Sequence, residues 1–288
     1  MCDVRGAVET HCHGWSKRVI LTDRRAFLFP RDHTHVAHIE REAAALTLLR
    51  ACGHAPRLIN RHEHDGISPY PFLEIERVPG APFYGAVYEA ADMSVVIDLL
   101  TELGEAIAGW HDWPLGGLAP ALRTGLARPT GLLERCLNAE PSQLVDEATA
   151  VLGVSGGGAW VEAIDAVQSM APALTHGDIH GEQVMVANGS LVGVIDWETA
   201  AIDNPVRDFN FQEWGRGWYR AHETDFATMR ETFWQSYSAN RAATPLPDWR
   251  QIHLFFSLIE AWQCATSDTA FDVSRRELAL VNLRTASS

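Results

Sequence analysis

The segment "LTHGDIHGEQVMVANGSLVGVIDWETA", Leu174 to Ala200, constrains this chain more than any other. At its centre Asn188-Gly189 separates "VMVA" from "SLVGVID", and both positions of a tight two-residue turn favour the positive φ that Asn and Gly adopt. A hairpin is expected there. With a two-residue turn, Ala187 faces Ser190, Val186 faces Leu191 and Gln183 faces Val194. Cross-strand partners share a sheet face, as do residues two apart along a strand. Gln183 and Asp196 are therefore expected on one face, on a diagonal of roughly 7–8 Å, and a metal ion held by both fits that gap. Asp178 lies five residues before Gln183, in the turn leading into the first strand.

The flanking sequence divides in character. "KRVILT" and "RAFLFP" are short apolar runs around the polar turn Thr22-Asp23-Arg24-Arg25, a second hairpin signal. "IEREAAALTLLRACG" reads as a helix that Gly53 closes. In "FLEIERV", Leu73 and Ile75 alternate with Glu74 and Glu76, as in a half-buried strand. Pro79-Gly80 then breaks the chain. Beyond it Val96, Leu99, Leu100, Leu103, Ile107 and Trp110 recur at helical spacing until Pro114. "GVSGGGAW" lacks the Lys of a Walker phosphate loop and reads as a connector between helices. "MRETFWQSYSANR" and "WRQIHLFFSLIEAWQCA" predict two more helices. The expected fold class is α+β, with a small β-rich lobe over residues 1–79 and a larger helical lobe over 80–288.

An Asp, a carboxamide five residues on, a tight hairpin and a second Asp form the layout of protein-kinase catalytic and metal loops. His176-Gly177-Asp178 together with Ile195-Asp196-Trp197-Glu198 resembles the aminoglycoside phosphotransferase family, small-molecule kinases with a protein-kinase-like bilobal fold. The resemblance spans nearly the whole chain: "PRDHTHVAHIEREAAALTLL" is similar to the family's first helix, "YPFLEIERVPGAPF" to its hinge, and "LGEAIAGWHDWP" to the helix before the catalytic loop. "DNPVRDF" is similar to the segment after the metal-binding acid. By this resemblance Asp178 accepts or orients the proton of the substrate hydroxyl, and Asp196 and Gln183 bind Mg²⁺. ATP or GTP is the cosubstrate. His176 and Asp208 brace the catalytic loop, while Val19, Glu76 and Val78 belong to the nucleotide site. Gln183 stands where the family usually has Asn.

The chain departs from the family most at Leu28, the position of the expected strand-three cation, which normally pairs with a helix Glu. That Glu is Glu42, with Glu40 the alternative. If Val19 caps the base, Lys17 occupies the last glycine position of the phosphate loop, as in kinases that lack the usual lysine. Lys17 is therefore the candidate for neutralising the phosphates. "HGWS" before it holds one glycine.

The family's C-terminal helices form the acceptor pocket, which directs attention to Glu260, Asp268 and Asp272. Six of the ten tryptophans lie between Trp197 and Trp262, where aromatic walls suit a cationic or sugar-like acceptor, although helix-core packing explains each singly. A formal charge of −14 opposes a nucleic-acid partner and mildly favours a cationic one. Five scattered cysteines without C-x-x-C spacing fit a reducing cytoplasm, and no run reaches the length of a membrane span. The histidine pairs His11/His13, His33/His35 and His62/His64 allow a metal-hydrolase reading that leaves the two-acid hairpin unexplained. The expected activity is phosphorylation of a small-molecule hydroxyl. An antibiotic is the leading acceptor, with choline, homoserine and sugars open by the same resemblance. A kinase-like binding protein without transfer activity is the competing class, on the strength of Leu28 and Gln183.

Overall fold

A computed structural model describes residues 9–11, 15–63, 66, 68–84, 93–116, 120–123, 132–209, 226–243, 245–266, 280, 281 and 283. The chain forms two compact units, Met1–Leu126 with Ala173–Ala242, and Ala127–Pro172 with Ala243–Ser288.

The first unit opens with an antiparallel sheet in the order β1-β2-β3-β5-β4. Its strands are β1 (Glu9–His11), β2 (Lys17–Leu21), β3 (Arg25–Pro30), β4 (Leu58–His62) and β5 (Phe72–Glu76). The register pairs Lys17 with Pro30 and Val19 with Leu28. On β3 alternate residues Ala26 and Leu28 are buried, and on β5 Leu73 and Ile75 are buried as the alternation predicts. Leu28 is thus a core residue. Helix α1 (Val36–Leu48) follows β3, burying Ile39, Glu42, Ala45 and Leu46. It ends earlier than expected: the N–H of Leu49 still bonds Ala45 O, and Gly53 lies beyond in a turn without positive φ. Gly53 does not close the helix.

The same unit contains α2 (Met93–His111), whose buried stripe is the one read from the sequence. It also holds the hairpin of β8 (Val184–Ala187) and β9 (Ser190–Val194), flanked by the two-residue β6 (Ala81–Pro82). β7 (Ala173–Thr175) and β10 (Ala201–Asp203) pair antiparallel around it. Gly80 enters β6 at φ +96°, and a Cβ there would lie 2.2 Å from Val186 O. Gly80→Ala is expected to destabilise the protein by about 2 kcal/mol, from strained backbone and steric clash together. A lower urea midpoint at unchanged slope would show this; an unchanged midpoint would refute it.

The second unit is helical among its described residues: α3 (Leu132–Asn138), α4 (Pro141–Leu152), α5 (Gly157–Gln168) and, after the return of the chain, α7 (Trp249–Ala265). Helix α6 (Phe226–Asn240) lies between them in sequence and belongs to the first unit. Gly153 caps α4 at φ +68°, and the next helix begins at Gly157, so only the start of the glycine-rich segment is a connector. Asp248 and Gln251 form a reciprocal capping box that starts α7. No helix among the described residues is long and apolar enough to cross a membrane.

Candidate active site

The loop after β7 carries His176, Gly177 and Asp178. Its shape is set from below by Asp208, which is fully buried. Asp208 Oδ2 accepts from the N–H of His176 at 2.9 Å, and Oδ1 from the N–H of Gly177 at 2.6 Å. Oδ2 also accepts from the indole N–H of Trp110 at 3.1 Å and lies 3.0 Å from His111 Nε2. Burial alone would raise this carboxyl. The hydrogen bond and charge of His111, aided by His176 and the Gly177 N–H, hold it below the usual range. His111 Nδ1 lies 3.0 Å from the Tyr237 hydroxyl, to which Arg241 Nε donates at 3.0 Å. One polar chain therefore runs from Arg241 through the core to the loop that carries Asp178.

His176 is buried, and its Nε2–H donates to Ile195 O at 2.9 Å. That bond leaves Nδ1 as an acceptor for the Asp178 N–H at 3.4 Å. Burial depresses the imidazole pKa, against the pull of Asp208. The ring packs edge-on against Trp197, with centroids 4.7 Å apart.

The β8–β9 hairpin has the expected Asn-Gly turn, but its register differs from the two-residue expectation. Val186 faces Leu191, whereas Met185 faces Gly193 and Val184 faces Val194. Val192 is therefore an extra, bulged residue, and the N–H of Ile195 donates to Gln183 O at 2.9 Å. Gln183 is opposite Ile195, not Val194. Alternation alone would then send Asp196 to the other face. Asp196 instead adopts the left-handed conformation, φ +72° and ψ +56°, and its side chain joins Gln183 and Ile195 in one cavity wall. A bulge and a strained residue together achieve what the simple register was expected to do. Gln183 Oε1 accepts from the His180 N–H at 2.9 Å.

Lys17, at the start of β2, is buried with its Nζ 2.5 Å from Glu42 Oε2, 2.6 Å from Asp196 Oδ1 and 3.3 Å from Glu198 Oε2. Burial works against its charge, yet Asp196, Glu42 and Glu198 outweigh it and hold the ammonium pKa above its usual value. Burial also pushes Glu42 up, to about 7, against the pull of Lys17. Lys17 draws Asp196 below the usual carboxylate range despite burial. Of the two glutamates considered for this pair, Glu42 meets Lys17, while Glu40 pairs with Arg61 at 2.7 Å. Glu42 Oε1 also accepts from the Trp197 N–H at 3.2 Å.

These groups surround a cavity of about 440 Å³ lined by Lys17, Asp178, Gln183, Asp196 and Glu198 among others. An adjoining cavity of about 420 Å³ has an apolar wall of Val19, Leu21, Val78, Met185 and Ile195. Glu182 borders both. Glu76 lines neither and pairs with Arg57 at 3.4 Å. The carboxylates of Glu42, Asp196 and Glu198 lie within 4.8 Å of one another, and each meets the Lys17 ammonium. This surplus of negative charge, offering hard oxygen donors on a cavity wall that Gln183 shares, fits a divalent cation such as Mg²⁺.

Other candidates are placed elsewhere. Glu260 is buried on α7 in the second unit, and Asp268 and Asp272 lie outside the described residues. Trp197, Trp234 and Trp262 are core residues, while Trp214 and Trp218 are outside the described set. His35 bonds Asp32 and His62 lies 3.2 Å from Glu74, neither with a second histidine as co-ligand; His13 and His64 are outside the described residues. Sequence reasoning gave no role to Ser16, Glu198, His111 or Tyr237. Their partners are remote in the chain, so local pattern carried no signal for them.

A sequence profile of the phosphotransferase enzyme family matches residues 8–255. The chain is 27% identical over 229 residues to viomycin phosphotransferase of Streptomyces vinaceus, covering 72% of each chain. It resembles the GDP and kanamycin complex of APH(2″)-IIIa with a TM-score of 0.55 and 17% identity, covering 99% of this chain and 94% of that one. Macrolide 2′-phosphotransferase MphH from Brachybacterium faecium gives a TM-score of 0.55 and 18% identity, covering 98% of this chain and 93% of that one. The structural matches carry the kinase-like α+β fold, and the profile match carries the family. The chain belongs to the phosphotransferase enzyme family, the aminoglycoside phosphotransferases that its paired acidic signatures resemble, and it is an enzyme of that class.

Proposed function

We propose that this enzyme transfers the γ-phosphoryl group of Mg·ATP or Mg·GTP to a hydroxyl of a cationic antibiotic. The carrying observation is the single cavity into which separate segments bring Lys17, Asp178, Gln183 and Asp196. The apolar cavity beside it suits a nucleotide base, with Val19 and Val78 on its wall. The names of the relatives support an antibiotic acceptor, and the acidic cavity and negative net charge support a cationic one.

In this reading Asp178 holds the acceptor hydroxyl in line and takes its proton. The hydroxyl oxygen forms a bond to the γ-phosphorus, the bond to the bridging oxygen breaks, and its electron pair leaves with the nucleoside diphosphate. His176 and Asp208 keep Asp178 in place, and Lys17 offsets phosphate charge in the position left by Leu28. Asp196 and Gln183 would hold the magnesium ion. When bound, it neutralises the charge that builds on the phosphate oxygens.

Calorimetry with MgATP and MgGTP, followed by a coupled assay across cationic peptide antibiotics, aminoglycosides and macrolides, tests this reading. Magnesium-dependent binding with turnover of one class supports it; no binding at millimolar nucleotide refutes it. Lys17→Ala is expected to raise the nucleotide KM by about 30-fold, because it removes the ammonium that three carboxylates share. An unchanged KM would exclude Lys17 from the phosphate site.

A further inference from the structure

We infer that Glu198 is the positioning residue of the phosphate loop, fixing Ser16 and Lys17 on the cavity wall. This inference rests on the proposed function. The segment "HGWS" before β2 holds one glycine, and Ser16 at its end and Lys17 after it bring side chains to the cavity wall. Ser16 Oγ donates a short hydrogen bond to Glu198 Oε2, linking residues 182 apart in sequence, and the same oxygen lies 3.3 Å from Lys17 Nζ. The other carboxylate oxygen is 3.7 Å from His38 Nδ1.

Glu198 is itself rigidly mounted. It sits in the 3₁₀ turn Trp197–Thr199, one residue after an indole whose N–H donates to Val194 O at 2.8 Å. Thr199, on its other side, donates to His176 O at 2.8 Å. Both neighbours are therefore tied to the catalytic hairpin and loop.

The need for Glu198 follows from how Lys17 is shared. An ammonium has three donors, and here three carboxylates surround it. In the proposed reaction Asp196 is shared with a metal ion. Glu42, fully buried, holds the ammonium from beneath. Glu198 lines the cavity and is the remaining anion that keeps Nζ at the level of the phosphates. It also restrains the loop through Ser16.

The test compares Glu198→Ala, Glu198→Gln and Ser16→Ala with wild type in the full chain. Glu198→Ala is expected to raise the KM and Kd for Mg·ATP about 10-fold, the size of one lost charge-assisted hydrogen bond, with kcat within about 3-fold. Backbone amides of residues 15–19 should exchange faster in the nucleotide-free protein, and Ser16→Ala should reproduce that increase. Glu198→Gln retains an acceptor for Ser16 but not the charge, so it should restore slow exchange while nucleotide KM stays raised. Wild-type nucleotide affinity and exchange in Glu198→Ala would overturn the inference, as would a fall in kcat at unchanged KM. If Glu198→Ala fails to fold, Glu198→Gln decides by its KM. If wild type binds no nucleotide, the proposed function falls, while the exchange comparison still decides whether Glu198 holds the loop.

Discussion

Replacing Asp178 by Asn is expected to lower kcat by about 10³-fold while leaving affinity for Mg·nucleotide within a few-fold. The substitution keeps the shape of the side chain and removes its capacity to take a proton. Asp178 is held by its backbone: its N–H meets His176 Nδ1, and the preceding two N–H groups end on Asp208. The loop should therefore keep its geometry in the variant. Lys17, Glu42 and Asp196 are untouched, so the side of the cavity proposed to take the phosphates is preserved. Steady-state kinetics with the responsive acceptor, paired with nucleotide calorimetry, separates the two effects. A kcat near wild type would remove Asp178 from the chemistry, and a parallel loss of nucleotide binding would assign it to the metal site instead.

Replacing Asp208 by Ala should instead act on folding. The carboxylate is the common acceptor for two backbone N–H groups, the Trp110 indole and His111, with only the Gly177 N–H partly exposed among them. Its removal leaves these donors without an acceptor, at an expected cost of about 3–5 kcal/mol. A fall in Tm of about 10 °C corresponds to that range for a chain of this size. The effect carries a pH signature. Because the folded carboxyl lies below its ordinary value, its contribution is present above the unfolded carboxylate range and is lost as pH falls through the lowered folded value. The gap in Tm between wild type and variant should therefore be full near neutrality and close in strong acid. A gap that stays constant with pH would mean that Asp208 contributes by shape, not by charge.

Much of this arrangement was written in local sequence. The Asn188-Gly189 turn, the helix from Met93 and the capped helix at Trp249 depend on near neighbours, so periodicity and turn chemistry found them. The two acids were recognisable because each sits in its own short signature. What escaped depends on distant residues. Val192 looks like any other strand valine, and only the packed hairpin makes it surplus to the ladder. Asp196 offers no sign of its left-handed backbone. Glu198 stands beside Asp196 in the signature, but its link to Ser16 exists only after the strands and the first helix assemble. Gly53 misled because glycine ends many helices, whereas this one stops at Leu48 and the chain passes through further turns before Gly53.

The bulge at Val192 also restricts how this part of the protein can change in length. Adding or deleting one residue on either arm of the hairpin would reverse the parity of the ladder beyond it. Asp196, already turned once by its backbone, would then be aimed away from the cavity, even when the altered residue is several positions distant and on the surface. Paired changes at the Asn-Gly tip preserve parity. The arms of the hairpin are thus constrained in length, residue by residue, by an acid on the cavity wall several positions away.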